Sequence, residues 1–207
     1  MHPIKPISEA CLRNQVPIAE VLVPLFATVK TVFEIGSGTG QHAVFFAEKM
    51  PHLEWHPSDL AECLPGIGSW ITESKLKNVK APIALDVNGK QWSNSHVFDA
   101  VFTANTIHFV GWSVVEHMLE GVASILSAQG IFCVYGPFNK NHQFTSIGNR
   151  KLDQWLKSRD AASGIKDIEE FCQHAEYYGL TIEKIYQLPA NNLILIFRLS
   201  TNKVNLV

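Results

Sequence analysis

The fold of this chain is decided by residues 32–50, VFEIGSGTGQHAVFFAEKM. The stretch opens on apolar and aromatic residues that favour a strand. Glycines follow at the alternate positions Gly36, Gly38 and Gly40, and apolar residues then recur at the spacing of a helix. A strand, a glycine turn and a helix in this order are typical of a nucleotide-binding crevice, because glycine lets the backbone turn sharply and approach a ligand closely.

Glu34 distinguishes this loop from a phosphate-binding loop. It lies two residues before the first glycine, at the predicted carboxyl end of the strand. A carboxylate at this place suits a cationic ligand group better than a phosphate. The sequence therefore predicts S-adenosylmethionine as the cofactor, since its amino and sulfonium groups are both positive. The loop residues predicted to bind it are Glu34, Gly36, Ser37, Gly38 and Gly40.

Strands and helices continue to alternate through the chain, which predicts an α/β fold. Strands are predicted at 53–57, 81–85, 98–103 and 130–135, and helices at 65–77, 115–126, around 152–156 and at 167–178. Two final strands, 181–188 and 193–199, are joined by a short link and predict an antiparallel hairpin. A parallel sheet that ends in one antiparallel hairpin differs from a plain dinucleotide-binding domain.

Two acidic residues follow the second and third predicted strands. Asp59 is placed to accept hydrogen bonds from ribose hydroxyls, although it could also be a helix N-cap. Asp86 would meet the adenine amino group if Asp59 holds the ribose, or it could form a turn with the residues that follow. The neighbours Leu60 and Val87 are predicted to share these cofactor contacts.

The end of the fourth predicted strand is where the crevice would meet the transferring methyl group. Asn105 is assigned to the cofactor side there. His108 could be a general base, since an unperturbed histidine pKa of about 6.5 suits proton removal near neutral pH. Alternatively, His108 is a structural histidine that hydrogen-bonds a neighbouring loop. Tyr135 ends the fifth predicted strand, Phe138 and Asn139 follow it, and all three are predicted to line the substrate side.

Two further segments could reach the substrate. Residues 1–29 are predicted as a helical lid segment, in one or two pieces because prolines fall within its apolar pattern. Arg13 and Asn14 belong either to a solvated face of this segment or to a lid that touches cofactor or substrate. Arg150 opens an insertion after the fifth strand, which either sets substrate specificity or is scaffolding.

The composition limits the classes of function. The chain has 207 residues, enough for a single domain, 1–207, with a sizeable core. Its net charge of -2 argues against a nucleic-acid partner, and no apolar run is as long as a membrane span or resembles a secretion signal. Its four cysteines are scattered without a CxxC pair, which argues against a metal site or disulfides and fits a reducing cytoplasm.

Together these features resemble a class I S-adenosylmethionine-dependent methyltransferase. The resemblance rests on EIGSGTG with Glu34, Asp59 after the second strand, LDV around Asp86, and the final hairpin. Longer strings are similar to one small methyltransferase-like family without an assigned substrate: RNQVPI (13–18), HPSD (56–59), YGPFN (135–139), FTSIGNR (144–150) and PANNL (189–193).

This resemblance implies a Rossmann-like, seven-stranded, mostly parallel sheet with helices on both faces and the cofactor across the carboxyl ends of the strands. It also implies that Arg13 and Asn14 lie on the functional face. Asn191, in the string PANNL, joins the substrate-side candidates.

The residues and the resemblance predict methyl transfer to an oxygen or nitrogen of a small or medium-sized molecule. No NPPY-type tetrapeptide follows the fourth strand, which argues against methylation of adenine or glutamine amide nitrogens. Two alternatives stay open. A non-catalytic module would bind S-adenosylmethionine or its demethylated product without transfer. An NAD-dependent oxidoreductase is disfavoured, because its fingerprint requires a third glycine where Gln41 stands.

Overall fold

A computed structural model describes residues 5–89, 92 and 96–200 of the chain. The helices are α1 (Glu9–Leu25), α2 (Gln41–Lys49), α3 (Leu64–Ser74), α4 (Trp112–Ile125), α5 (Ile147–Arg159) and α6 (Ile168–Tyr177). The strands are β1 (Thr31–Ile35), β2 (Glu54–Asp59), β3 (Ile83–Ala84), β4 (Phe98–Ala104), β5 (Leu126–Pro137), β6 (Leu180–Leu188) and β7 (Asn192–Leu199). Within the described residues, helices mostly alternate with strands up to the C-terminal hairpin; β4 is the next described element after β3, and α6 follows α5 directly, in the order that the sequence predicts.

The described strands form one seven-stranded sheet in the order β3-β2-β1-β4-β5-β7-β6. β1 pairs in parallel with β2 and β4, and β2 pairs in parallel with β3. β7 is antiparallel to both β5 and β6. The predicted α/β class, with a mostly parallel sheet and an antiparallel C-terminal hairpin, is therefore confirmed.

The N-terminal segment folds as one helix although it contains two prolines, Pro17 and Pro24. Ser8 is the N-cap, and its Oγ accepts a hydrogen bond from the backbone N–H of Cys11 at 3.4 Å. Ile18 and Leu22 of α1 are fully buried. This packing offsets the backbone hydrogen bonds that proline cannot donate, so the helix continues past Pro17.

Some boundaries differ from the sequence prediction for reasons of pairing. β5 is longer than the predicted 130–135, since β7 pairs with it as far as Pro137. β3 is shorter than the predicted 81–85, since only Ile83 and Ala84 pair with β2. α3 ends before residue 77, because Lys75 takes a left-handed φ of 55°.

The described residues form two compact units, each with an aromatic core. Unit 1 comprises the described part of Met1–Asp86 together with Phe98–Thr103, and unit 2 comprises that of Val87–Val97 and Ala104–Val207. In unit 1, the ring centroids of Phe46, Trp55 and Phe102 lie 5.5–5.8 Å apart. In unit 2, the rings of Phe132, Phe138, Phe171 and Phe197 make successive contacts at 5.6–6.0 Å. The single domain 1–207 stays a prediction.

Within the described ranges, 5–89, 92 and 96–200, every helix is too short or too polar to span a bilayer. Within the same ranges, no group of three or more His, Cys, Asp or Glu residues is arranged to hold a metal ion. The cysteines Cys11, Cys63, Cys133 and Cys172 are all free thiols.

Asn78 stabilises the C-terminal end of α2. Its Nδ2 donates to the carbonyl oxygens of Ala47 (2.9 Å), Met50 (3.3 Å) and Leu53 (3.1 Å). The last carbonyls of a helix have no partner within the helix, so a side-chain donor at this point is stabilising. One amide group thereby links α2 to the start of β2.

Asn78→Ala should lower the free energy of unfolding by about 1–3 kcal/mol, because it removes the side-chain donor that these three carbonyls share. Urea unfolding followed by circular dichroism measures the change. The matched control is Lys77→Ala at the exposed neighbouring position. Equal stability of the two variants would contradict the linking role of Asn78.

Candidate functional site

The glycine loop that follows β1 has a backbone conformation suited to glycine. Gly36, Gly38 and Gly40 have φ angles of 70°, 58° and 88°, all in the left-handed region. A Cβ at Gly40 would lie 2.9 Å from Cα of Ile67 in α3, so α3 packs directly on the loop. A Cβ at Gly38 would meet no atom of the described residues within 4 Å. The loop backbone is therefore open at Gly38.

Glu34 lies almost completely buried at the end of β1, with 2% of its surface exposed. Its Oε2 accepts hydrogen bonds from Oγ of Ser37 (2.8 Å) and Nε1 of Trp55 (3.0 Å). Burial raises the pKa of Glu34 to about 7; these hydrogen bonds lower it, and the nearby Asp59 adds to the rise. The carboxylate thus holds the glycine loop through Ser37, and its contact with the cofactor stays a prediction.

Asp59 fastens the same loop from the end of β2. Its Oδ2 accepts a hydrogen bond from the backbone N–H of Gly38 at 2.6 Å, and its Oδ1 accepts one from that of Leu60 at 2.7 Å. The backbone N–H of Ser37 in turn donates to the carbonyl of Ser58 at 3.0 Å. The end of β2 and the loop are therefore joined at two places. The ribose role of Asp59 stays a prediction.

The end of β3 lies next to Asp59, since the backbone N–H of Leu85 donates to the carbonyl of Asp59 at 2.8 Å. Asp86 is exposed and Val87 is half-buried. Leu60 is 43% exposed. These placements leave the adenine-side assignments of Leu60, Asp86 and Val87 as predictions.

The N-terminal end of α1 is attached to the glycine loop, a contact that sequence analysis missed. Oε1 of Gln41 accepts hydrogen bonds from the backbone N–H of Ser8 and from Oγ1 of Thr39 (3.0 Å). Burial raises the pKa of the Cys11 thiol, and Ser8, Glu34 and Thr39 all lie near enough to affect it. The only available signal was that Gln41 directly follows the last loop glycine.

Arg13 and Asn14 both lie on α1, where Arg13 is exposed and Asn14 is half-buried. Because the start of α1 is joined to the loop through Gln41, the helix carries both residues in the same unit as the glycine loop. Their role toward cofactor or substrate stays a prediction.

In unit 2, Asn105 and His108 follow β4 closely. Asn105 has a left-handed φ of 56°, and its backbone N–H donates to the carbonyl of Tyr135 at 2.8 Å. His108 lies in a short 3₁₀ turn, Ile107–Phe109, and is 3% exposed. A Cβ at Gly136 would lie 3.8 Å from Nδ1 of His108 and 3.9 Å from Oδ1 of Asn105. The two polar side chains therefore approach the same glycine.

The environment of His108 keeps its ring neutral. Burial, and to a smaller extent the positive charge of Lys166, lower the pKa of His108 to about 4. Nδ1 is buried and has no hydrogen-bond partner among the described residues. In the neutral tautomer that carries its proton on Nε2, Nδ1 can accept a hydrogen bond. The general-base role of His108 stays a prediction.

The residues at the end of β5 and just after it differ in exposure. Tyr135 in β5 and Phe138 after it are buried, at 2% and 1% exposure, whereas Asn139 is half-buried. The backbone N–H of Asn139 donates to the carbonyl of Lys166 (2.9 Å), and its Nδ2 donates to that of Ile165 (3.2 Å). Asn139 therefore connects the end of β5 to the segment that precedes α6. The substrate-side assignment of these residues stays a prediction.

Arg150 and Asn191 are both exposed in unit 2. The guanidinium of Arg150 lies 5.8 Å from the ring centroid of Phe144. Asn191 has a left-handed φ of 57° in the turn between β6 and β7. Their substrate-side assignments also stay predictions.

Comparison with known protein families gives a match over residues 5–199, to the family described as Protein of unknown function (DUF938). The chain belongs to the DUF938 family. The match covers the glycine loop, both acidic strand ends and the C-terminal hairpin. It agrees with the sequence resemblance to a methyltransferase-like family without an assigned substrate.

Solved structures show which fold this DUF938 chain has. An O-methyltransferase family protein from Burkholderia thailandensis superposes with a TM-score of 0.82 at 14% identity, over 94% of this chain and 59% of that protein. The S-adenosylmethionine-dependent methyltransferase SibL superposes with a TM-score of 0.75 at 17% identity, over 92% of this chain and 56% of that protein. PigF, solved with SAH, superposes with a TM-score of 0.75 at 14% identity, over 90% of this chain and 56% of that protein.

The chain spans less than two thirds of the length of each of these three proteins. At such identities the similarity shows the fold alone. The DUF938 chain thus has the fold of S-adenosylmethionine-dependent methyltransferases, as the sequence resemblance predicts.

Glu34→Gln should remove a pH dependence of stability. The folded pKa of about 7 lies above the ordinary 4.5, so the folded state holds this proton more tightly than the unfolded state. The free energy of unfolding therefore decreases as the pH rises from the unfolded pKa through the folded one, by about 2–3 kcal/mol between pH 5 and pH 8. Glutamine keeps an acceptor oxygen for Ser37 and Trp55 but cannot ionise.

Urea unfolding at pH 5 and pH 8 checks this expectation by comparing the loss of stability in the variant and in the wild type. Glu62→Gln, at an exposed position of unit 1, is the matched control and should keep the wild-type dependence. An unchanged loss in Glu34→Gln would mean that Glu34 is already ionised in the folded protein at pH 5.

Proposed function

We propose that this DUF938 chain transfers a methyl group from S-adenosylmethionine to an oxygen or nitrogen of a small or medium-sized molecule. The observation that carries the proposal is the left-handed glycine loop held by the carboxylates of Glu34 and Asp59. The loop follows β1, which lies between β2 and β4. The strand order reverses there, and open α/β sheets bind ligands outside the carboxyl ends of their strands at such a point.

The residues of the loop fit this cofactor. The open space at Gly38 allows a ligand to approach the backbone. A cationic group near the buried Glu34 would favour its ionised form, so binding of a positive donor and ionisation of Glu34 would support each other. PigF, which shares the fold, is solved with SAH, the demethylated donor. In this proposal Asp59 holds the ribose, and Leu60, Asp86 and Val87 form the adenine side.

The acceptor needs to be oriented and to lose a proton. When bound, the cofactor supplies a methyl carbon on a positively charged sulfur, so positioning provides much of the catalysis. His108 is neutral at neutral pH, and its Nδ1 is available to accept a hydrogen bond from an acceptor O–H or N–H. Oδ1 of Asn105, close to the same glycine, can accept a second. The proton that the acceptor releases would pass to Nδ1 of His108 and would leave it readily, because a pKa lowered to about 4 makes this imidazolium a stronger acid than that of an ordinary histidine.

The composition of the chain supports a small molecule as the methyl acceptor. A net charge of -2 does not suit a polynucleotide, so a small molecule is proposed. A cytoplasmic location is also proposed, because four cysteines that are all free thiols fit a reducing compartment. The proposed substrate-side residues are Arg13, Asn14, Tyr135, Phe138, Asn139, Arg150 and Asn191.

Isothermal titration calorimetry tests the cofactor. S-adenosylmethionine should bind and NAD should not, because the loop offers a buried carboxylate and lacks the third glycine of the dinucleotide fingerprint. Asp59→Ala should weaken S-adenosylmethionine binding by about 1–3 kcal/mol, the usual cost of losing hydrogen-bond partners. Glu62→Ala, a nearby exposed carboxylate, is the control and should bind normally. Preferential binding of NAD would overturn the proposal.

A screen of metabolite extracts for transfer of a labelled methyl group tests the reaction. With an acceptor identified, His108→Gln should lower turnover by about 10²–10⁴-fold, the usual contribution of a general base, and leave cofactor affinity unchanged. His142→Gln is the control, since the His142 side chain is 76% exposed. Full activity of His108→Gln would make His108 structural, and cofactor binding without any transfer would favour a non-catalytic module.

A further inference from the structure

Gly136 is a buried glycine near the end of β5. Its φ lies outside the left-handed region, so another residue could adopt the same backbone conformation. β5 and β7 pair in unbroken register from Ile131 to Pro137, so no bulge accounts for the glycine. Glycine weakens a strand, and it often marks a place where a ligand or another backbone approaches closely. The course of β5 therefore gives no reason for a glycine at this position.

Packing within unit 2 does not require a glycine at position 136 either. Apart from its chain neighbours, a Cβ there would have only two heavy atoms of the described residues within 4 Å, Nδ1 of His108 at 3.8 Å and Oδ1 of Asn105 at 3.9 Å. Both are ordinary van der Waals distances to side-chain atoms. At Gly130 in the same strand, by contrast, a Cβ would lie 2.8 Å from the carbonyl oxygen of Ser127. A methyl-sized space, the Gly136 pocket, thus lies between Gly136, His108 and Asn105.

The Gly136 pocket is lined by two hydrogen-bond acceptors. His108 is 3% exposed, and its Nδ1 has no hydrogen-bond partner among the described residues. With the proton on Nε2, this nitrogen accepts a hydrogen bond, as does the amide oxygen Oδ1 of Asn105. A buried polar atom without a partner is rare in a folded protein, so one that faces a pocket indicates that a partner binds there. The partner that fits two acceptors is a group that donates hydrogen bonds.

The backbone holds both acceptors in place. Asn105 directly follows β4 and has a left-handed φ of 56°, a conformation that costs free energy in residues other than glycine and that clusters at functional sites. Its backbone N–H donates to the carbonyl of Tyr135, the residue before Gly136, at 2.8 Å. The carbonyl of His108 accepts the backbone N–H of Gly164 at 2.9 Å. These contacts fix the two side chains at the same glycine.

We propose that Gly136 is a specificity-determining residue, because the Gly136 pocket receives the reacting O–H or N–H group of the methyl acceptor between Nδ1 of His108 and Oδ1 of Asn105. The size of the pocket favours an unhindered hydroxyl or primary amino group over a branched or alkylated one. A methyl group on residue 136 would occupy the place that this donor group needs. The inference rests on the proposed function, since it names the part of the acceptor that these residues bind.

Gly136→Ala tests the inference in the transfer reaction. The variant should unfold at the same or a higher temperature, because its Cβ meets only ordinary contacts. It should raise the KM for the acceptor found in the extract screen by about tenfold or more, as expected when a hydrogen bond is lost. The affinity for S-adenosylmethionine, measured by calorimetry, should not change.

Gly148→Ala is the matched control for this substitution. It adds the same methyl group at an exposed position of α5, where the Cβ would lie 3.6 Å from Oγ of Ser146, and it should keep the wild-type KM. A wild-type KM in a folded Gly136→Ala protein would refute the role of Gly136 and leave the proposed function standing.

Crystal structures of the wild type and of Gly136→Ala test the pocket without any acceptor. A pocket that binds the O–H of an acceptor should bind the O–H of water in its absence, since buried acceptors rarely stay without a partner. The wild type should therefore hold an ordered water within about 3.2 Å of both Nδ1 of His108 and Oδ1 of Asn105, and Gly136→Ala should lack it.

The water separates a failure of this inference from a failure of the proposed function. A wild-type crystal without the water, or a Gly136→Ala crystal that keeps it, would overturn the inference even if methyl transfer is found. A wild type that holds the water yet transfers no methyl group would support the pocket and contradict the proposed function.

Discussion

The carboxylate of Glu34 is the constraint on which the glycine loop depends. It lies at the end of β1, it is buried, and it accepts hydrogen bonds from Ser37 of the loop and Trp55 of β2. Asp59 closes the arrangement from the end of β2 by accepting the N–H of Gly38. The loop can hold left-handed glycines in a defined place because two carboxylates fasten it. Everything proposed about the cofactor rests on this arrangement.

Burial of Glu34 destabilises the charged form of its carboxyl group, as would not happen to an acid exposed to solvent. Desolvation raises its pKa to about 7, so the isolated protein is close to the balance between the neutral and the charged acid. Perturbed acids of this kind occur preferentially at functional sites. A positively charged ligand would offset this destabilisation, because it would stabilise the charged form of Glu34. The same physics acts with opposite sign on His108, where burial and Lys166 remove the charge.

The two polar centres are built differently. In unit 1, the loop is held by residues of two neighbouring parallel strands, β1 and β2, so strand pairing brings them together. In unit 2, the turn of His108 is held by residues 160–167, a segment without regular structure that Asn139 ties to β5. Such segments usually tolerate change. This one is constrained, because Gly164 has no room for a side chain beside Asp153.

The sequence by itself determined the α/β class, the order of the elements, the glycine loop and the acidic strand ends, because apolar periodicity and glycine spacing are local signals. It left open whether α1 is interrupted, which only packing of Ile18 and Leu22 decided. It did not reveal that Trp55 reaches Glu34 across 21 residues, or that Lys166 reaches Val110 across 56. Contacts between residues so far apart in sequence depend on the tertiary fold, so no local sequence pattern predicts them.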